Sequence, residues 1–509
     1  MNKANQRDGA QLAPWKTIVN DEPFVSVTSA PKQTDVIIIG AGITGVTAAL
    51  RLIKAGKNVL LIDAHNPGFG TTGGTSAHIN TFIDTTYKEA EDAFGLDGAK
   101  LLADAVNEGF AEIKANIAEY NIECDYAELP GYIYAEDDDQ VKELDNVYNG
   151  TSRVGVSIRE VESVPVNVPY KQALILDGQA QFHPLKYLNG LLRAFNDAGG
   201  FVLENTLIDD ISKEGVLHKC IAGDKYFYAK DVFYATHIPP KITSFSFRCA
   251  PYRSYVVAVE LTNAQYPDAL IYDLQEPYHY FRTHVIDGQP LLLVGGNDHK
   301  TGHDDPDQAF ADLEFYVRKY YEVASVKYKW SSQYYIPADG LPYIGQMPET
   351  AARVWCATGY NGNGMMLGSI SAKIVSDLIL GIENRYEKLF SPSRIKPIAG
   401  FGEFVKENAD VAYHFVADRF KAEDIDSFKE IEAGSGKIVE LDGEKIAAYK
   451  DEAGLIHALS PVCTHAGCFV NWNNKEKSWD CPCHGARYDI DGNVLTGPAD
   501  KGLEKFTTN

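Results

Sequence analysis

A chain of 509 residues, 45% hydrophobic and 23% charged, has the composition of a globular protein and is too long for one core, so roughly two to four domains are expected. Its 47 basic against 70 acidic side chains give a net charge of −23, which argues against nucleic acid or an anionic membrane as partner, since both need basic patches. No apolar run reaches the roughly 18 residues of a membrane span, and the N-terminus shows neither an apolar signal segment nor twin arginines, so no stable membrane insertion and no secretion are expected. Four cysteines (Cys124, Cys220, Cys249, Cys356) are scattered singly and four cluster near the end. That distribution suits a reducing cytoplasm, the expected location, with one protected site.

Residues 1–34 are polar and carry Pro14, Pro23 and Pro31. They read as an irregular arm packed on the body through Trp15 and Phe24, and no chemistry is assigned to them. The run Val36–Ile39 is a short buried strand, followed at once by Gly40-x-Gly42-x-x-Gly45, an apolar-periodic helix and a second strand, Val59–Ile62, ending in Asp63. This is a βαβ unit with a dinucleotide fingerprint. Gly40 permits the tight turn, Gly42 lets backbone amides approach a pyrophosphate, and Gly45 lets helix and sheet pack closely. The helix N-terminus faces the phosphates, and Asp63 is placed to accept from ribose hydroxyls. The small-residue loop that follows, 66–77, can thread past a cofactor and offer hydrogen bonds.

Residues 88–121 read as a long amphipathic helix and 127–139 as a strand leading into a charged turn and helix. A helix starts near Pro184 and ends at Gly199-Gly200, and 230–236 is another buried strand. The aromatic-rich stretch 250–335 reads as strands forming an inserted sheet over one cofactor face. A strand, a glycine-rich turn and a helix follow through 334–378. Residues 391–400 look like a linker, and from about 428 short strands alternate with turns.

Within that last stretch lie Cys463-Thr464-His465 and Cys481-Pro482-Cys483-His484. Two cysteines and two histidines on separate loops suit a zinc ion or a Rieske-type [2Fe–2S] cluster, and on residue types alone both stay open. Each loop carries a further cysteine, Cys468 and Cys483.

The order IIIGAGITGVTAAL…VLLID, FHPLKYLNGLL, DVFYAT, PADGLPYIG, ATGYNGNGMMLG over about 390 residues resembles the D-amino-acid oxidase-like superfamily of FAD enzymes, glycine oxidase among them. ALSPVCTHAGC, WDCPCHGARYDIDG and GPA over the last 80 or so resemble Rieske modules. The resemblance implies an α/β Rossmann-like, glycine oxidase-type FAD-binding fold with an inserted antiparallel-sheet substrate domain and a small all-β Rieske domain. The expected layout is an arm over 1–34, the flavin domain over 35–395 (its covering part roughly 86–150 and 246–335), a linker or helical connector over 396–427 and the Rieske domain over 428–509.

Carried over by position, Gly40, Gly42, Gly45 and Asp63 would hold the ADP half of FAD. Thr71, Thr72, Ser76 and Ala77 would lie along its pyrophosphate and ring, and Gly359, Asn361, Gly362, Gly364 and Met365 would close over the pyrimidine end. Tyr280 and Arg282 match a segment that in some relatives meets a substrate carboxylate, with Arg253 as the competing arginine. Relatives that tether the flavin do so where this chain has Gly74 or Ser332, so FAD is expected to be non-covalent. Cys463 and Cys481 would hold one iron, His465 and His484 the other with their ring edges exposed, and Cys468 and Cys483 would form a disulfide. Ala486 stands where quinol-oxidising Rieske proteins have a serine, whereas Tyr488 keeps their tyrosine, which implies a lower potential.

The implied function is a flavin-dependent dehydrogenase oxidising a small amine or amino acid and passing electrons through the cluster to an external acceptor, ferredoxin-like or quinone. Reversed flow from an external donor, or a non-catalytic carrier or sensor, are the alternatives. Oligomers are compatible with this reading.

Overall fold

The computed structural model of the protein describes residues 7–17, 24–303, 305–394, 401–417, 422–425 and 427–506. Its centre is a six-stranded sheet in the order Tyr343–Gln346, Val354–Thr358, Asp231–Tyr234, Val36–Ile39, Val59–Ile62, Phe201–Leu203. The Val36–Ile39 strand is parallel to both neighbours and wholly buried, as an apolar run without alternation requires. The helices Ile43–Lys54, Pro184–Asp197 and Gly364–Leu380 join the same core cluster on one face of this sheet. Gly45 is the point of closest approach: a Cβ there would lie 1.9 Å from the Gly40 carbonyl oxygen.

A second sheet of nine strands, mostly antiparallel, covers the first domain's ligand side. It includes the long strands Cys249–Leu261, His279–Ile286, Gln289–Lys300 and Val323–Pro337. It also takes in Gln172–Gln181, between the two ranges expected for the covering part. The 250–335 stretch contains a helix, Pro306–Tyr320, that the aromatic content obscures. Its signals are local: the Asp305 side chain caps the Asp307 amide, Pro306 occupies the first turn, and Ala309, Phe310, Leu313 and Val317 form the buried stripe. The helix expected over 88–121 runs Tyr87–Glu119, opened by a Thr86/Glu89 capping box and broken at Gly95.

The connector holds a helix, Phe401–Ala417. Its Glu407 accepts from Tyr252 (3.2 Å), and Lys300 of the covering sheet pairs with both Glu407 and Asp410. The C-terminal module consists of two four-stranded sheets, the first beginning at Glu423–Asp424. No helix among the described residues is long and apolar enough to cross a membrane.

Candidate functional site

A cavity of about 560 Å³ runs along the dinucleotide fingerprint, under the covering sheet and against the C-terminal module. Gly40, Gly42, Asp63, Thr71, Thr72, Ser76, Asn361, Gly362, Gly364 and Met365 all line it. Asp63 accepts from the Ala41 amide (2.7 Å) and the His65 amide (2.8 Å), which fixes its carboxylate at the cavity wall. Thr72 Oγ1 accepts the Ile43 amide at the helix start (3.1 Å). An elongated cavity that begins at a helix N-terminus and carries an acid on the next strand fits a dinucleotide. Gly45 packs behind it, and Ala77 and Gly359 stand outside its lining. Gly74 and Ser332 lie side by side: a Cβ on Gly74 would be 3.0 Å from Ser332 Oγ. Neither residue offers a side chain of the kind that tethers the flavin in relatives.

Tyr280 lines the cavity but Arg282 does not. The two share a face of the strand His279–Ile286, yet Arg282 is one pleat further on, beneath the 75–78 loop. There it is fully buried, donating to the Ala77 carbonyl (2.7 Å) and the Phe182 carbonyl (3.4 Å), with its guanidinium 5.2 Å from the Trp15 ring. The expectation that Arg282 meets a substrate carboxylate therefore finds no geometric support. Strand parity gave its face but not the loop that covers it. Arg253 points to the other side of the sheet, to Ser331 Oγ (2.6 Å) and Glu476 (3.8 Å).

The two cysteine loops come together as a second site. Cys463 and Cys481 are buried free thiols, and Cys463 Sγ lies 3.2 Å from the Tyr488 hydroxyl. His465 and His484 stack edge-on with ring centroids 4.8 Å apart, and each has a buried Nδ1 without a protein partner. Two buried thiols facing two orphaned imidazole nitrogens fit a [2Fe–2S] cluster held by two cysteines and two histidines. Burial keeps both imidazoles in the neutral, ligating form, pushing His484 down to about 3 and His465 below its usual value. Cys468 and Cys483 are joined by a disulfide (S–S 2.07 Å). A single zinc ion would need its four ligands within one small sphere. The compact sulfur grouping among the described residues is instead Cys468, Cys481 and Cys483, two of them committed to the disulfide.

The histidine edges do not face solvent, contrary to expectation. His465 is 8% and His484 5% exposed. Ser246 Oγ sits 3.4 Å from His465 Nε2, and the Phe247 ring centroid is 6.1 Å from that of His484. Both covering residues belong to the short turn Ser244–Phe247 of the flavin-side domain.

The two sites share a wall. Gln333 accepts from Thr71 of the cofactor loop through its carbonyl (3.0 Å) and donates from Nε2 to the Gly485 carbonyl of the cluster loop (3.0 Å). Tyr335 donates to the His484 carbonyl (3.2 Å). Asn493 to Gly497 of the C-terminal module line the cavity directly. The arm, to which no chemistry was assigned, completes this junction. Arg7 and Asp8 are buried against Glu476 and Arg487 of the C-terminal module, while Arg253 reaches the same Glu476 from the covering sheet and Asp480 pairs with Arg487 (2.9 Å). Three guanidiniums and three carboxylates thus balance, and no spacing in the sequence announces this because arm, sheet and module contribute them from places hundreds of residues apart.

Comparison with known proteins agrees with this geometry. The family model for FAD dependent oxidoreductases matches residues 35–378, and that for the Rieske [2Fe-2S] domain matches 423–507. The chain is 33% identical over 496 residues, 97% of each chain, to the Rieske 2Fe-2S iron-sulfur protein YhfW of Bacillus subtilis. It is 22% identical over 370 residues to gamma-glutamylputrescine oxidoreductase of Escherichia coli, covering 69% of this chain and 85% of that one. The crystal structure of glycine oxidase from Geobacillus kaustophilus superposes with a TM-score of 0.59 at 18% identity, over 72% of this chain and all of that one.

Proposed function

Because the chain belongs to the FAD dependent oxidoreductase family and carries a C-terminal Rieske [2Fe-2S] domain, we propose that it is a dehydrogenase that oxidises a small amine or amino acid and delivers the electrons through its Rieske centre to an external acceptor. The observation that carries this reading is the shared wall: Gln333 touches both the cofactor loop at Thr71 and the cluster loop at Gly485. An enzyme that hands its electrons to oxygen has no use for such a junction.

Bound FAD supplies a two-electron hydride acceptor and the cluster a one-electron relay. The chain's own residues do the rest. Gly40, Gly42, Asp63, Thr71, Thr72 and Ser76 would hold the flavin's adenosine, phosphates and ring edge. Gly362, Gly364 and Met365 would close the other end. The covering sheet, with Tyr272, Tyr280 and Tyr334 on the cavity, would exclude water and position a substrate C–H bond beside nitrogen. Loss of that hydride from the neutral amine leaves an iminium ion, which water hydrolyses to a carbonyl compound and a protonated amine or ammonium. Cys463, Cys481, His465 and His484 would hold the cluster.

Anaerobic rapid mixing of the holoenzyme with a panel of amines and amino acids tests the reading. Flavin bleaching should come first and the cluster's reduced EPR signal second. Flavin that no small molecule bleaches, but that a reduced ferredoxin-like carrier reduces, would instead establish flow in the opposite direction.

A further inference from the structure

The substrate end of the cavity has a chemical bias. Among the described residues no lysine or arginine lines the cavity; of its aspartates Asp63 lies at the dinucleotide fingerprint, Asp8 in the buried ion network and Asp500 in the C-terminal module, which leaves Asp84 as the carboxylate near the flavin-closing turn. The covering sheet contributes Tyr272, Tyr278, Tyr280 and Tyr334, and Asp84 stands near the flavin-closing turn, its carboxylate accepting from the Gly362 amide (2.9 Å). Each phenol has one proton, and three of these are spent on protein acceptors. Tyr334 donates to Asp298 Oδ2 (2.8 Å), Tyr278 to the same oxygen (3.4 Å), and Tyr272 to Asn80 Oδ1 (2.9 Å). Burial holds all three phenols far above their usual pKa, so they remain donors to those acceptors. What they offer a ligand is therefore oxygen lone pairs and ring faces. The second oxygen of Asp298 is buried without a partner.

A carboxylate placed here would meet acceptors, the Asp84 carboxylate and no guanidinium, because Arg282 and Arg253 are both turned away. A protonated amine would meet aromatic faces, lone pairs and Asp84. We propose that the substrate is an alkylamine with no carboxylate on its reacting carbon, received as the ammonium by Tyr278, Tyr334 and Asp84 and deprotonated to solvent before the hydride leaves, with Asp298 buried behind the two phenols as their acceptor. This rests on the amine-oxidising reading above and narrows its substrate class.

The experiment compares matched pairs that differ only in the α-carboxylate: butylamine with norvaline, isobutylamine with valine, phenethylamine with phenylalanine. Binding is read from perturbation of the flavin's visible spectrum in the holoenzyme, and reduction from anaerobic bleaching. Each amine should act at a concentration about tenfold or more below its amino acid. Asp298→Asn and Tyr334→Phe, checked for full FAD content, should each weaken amine binding about tenfold. Amino acids that bind or bleach better than their decarboxylated partners would overturn the inference and leave the dehydrogenase reading standing. A flavin that neither class perturbs nor bleaches would overturn both.

Discussion

Tyr488 shows how a single hydroxyl can set a redox property. Its oxygen accepts the Thr464 amide at 3.2 Å, and its proton is shared between Cys463 Sγ at 3.2 Å and Thr464 Oγ1 at 3.1 Å, whose own proton goes to the Lys501 carbonyl. A donor to a ligating sulfur stabilises the reduced, more electron-rich cluster and raises its potential. The neighbouring position is Ala486, fully buried and without a hydroxyl, which accepts the Cys481 amide through its backbone alone. Tyr488→Phe should therefore lower the potential and Ala486→Ser should raise it, as read by a redox titration followed by EPR. An unchanged potential in Tyr488→Phe would remove the hydroxyl from the account. At this scale the sequence was highly informative where ligands are packed close along the chain, as in CTH and CPCH. It was least informative for Arg282, whose environment is decided by a loop 200 residues away.

At the level of elements, the cluster loop is held against the covering sheet by fit as well as by hydrogen bonds. Gly485 has φ +75°, a region side chains rarely adopt, and a Cβ there would lie 2.5 Å from Pro251 Cβ and 2.8 Å from Gln333 Nε2. Gly485→Ala thus meets strain and a rigid proline together, and should cost about 1–3 kcal/mol. Calorimetry should show this as a downward shift of the transition that carries the Rieske module, with the flavin domain's transition unmoved. The βαβ unit and the helix at Pro184 could be read directly, since strand, turn and helix signals agree locally. The covering sheet could be read only as strand-rich: its order pairs Cys249–Leu261 with Val323–Pro337 across three intervening strands and a helix, and aromatic content says nothing about such pairing. The Pro306–Tyr320 helix had its cap and periodicity in plain view, hidden only by the strands on either side.

Across the whole molecule, the question is whether the Rieske module is fixed or swings. Its histidine edges are covered by the flavin-side turn, and the six buried charges of Arg7, Asp8, Arg253, Glu476, Asp480 and Arg487 tie arm, sheet and module together. Such a network adds little net stability over apolar packing but specifies one arrangement, because any displacement leaves buried charges unpaired. Arg487→Met would strand Asp480 and leave Asp8 with Arg7 alone, and breaking a buried pair in this way costs about 3–5 kcal/mol. The expected result is a holoenzyme in which substrate bleaches the flavin at the normal rate while cluster reduction becomes slow. Equal rates for both steps in wild type and variant would show that docking does not control the transfer.

The acid limit follows from the same charges. Burial alone would raise the Asp8 carboxyl, but Arg7, Arg487 and Arg253 outweigh it and hold it at about 2 against an ordinary 3.8. Asp480 is lowered in the same way, its burial outweighed by Arg487 and Arg253. A depressed carboxylate contributes stability that is complete above its unfolded pKa and is lost as pH falls through the folded one. Docking should therefore hold from neutral pH down to about 4 and fail between there and about 2. In Arg487→Met the carboxylates lose a principal counter-charge, so the failure should begin at a higher pH, and the Rieske module's calorimetric transition should report that upward displacement.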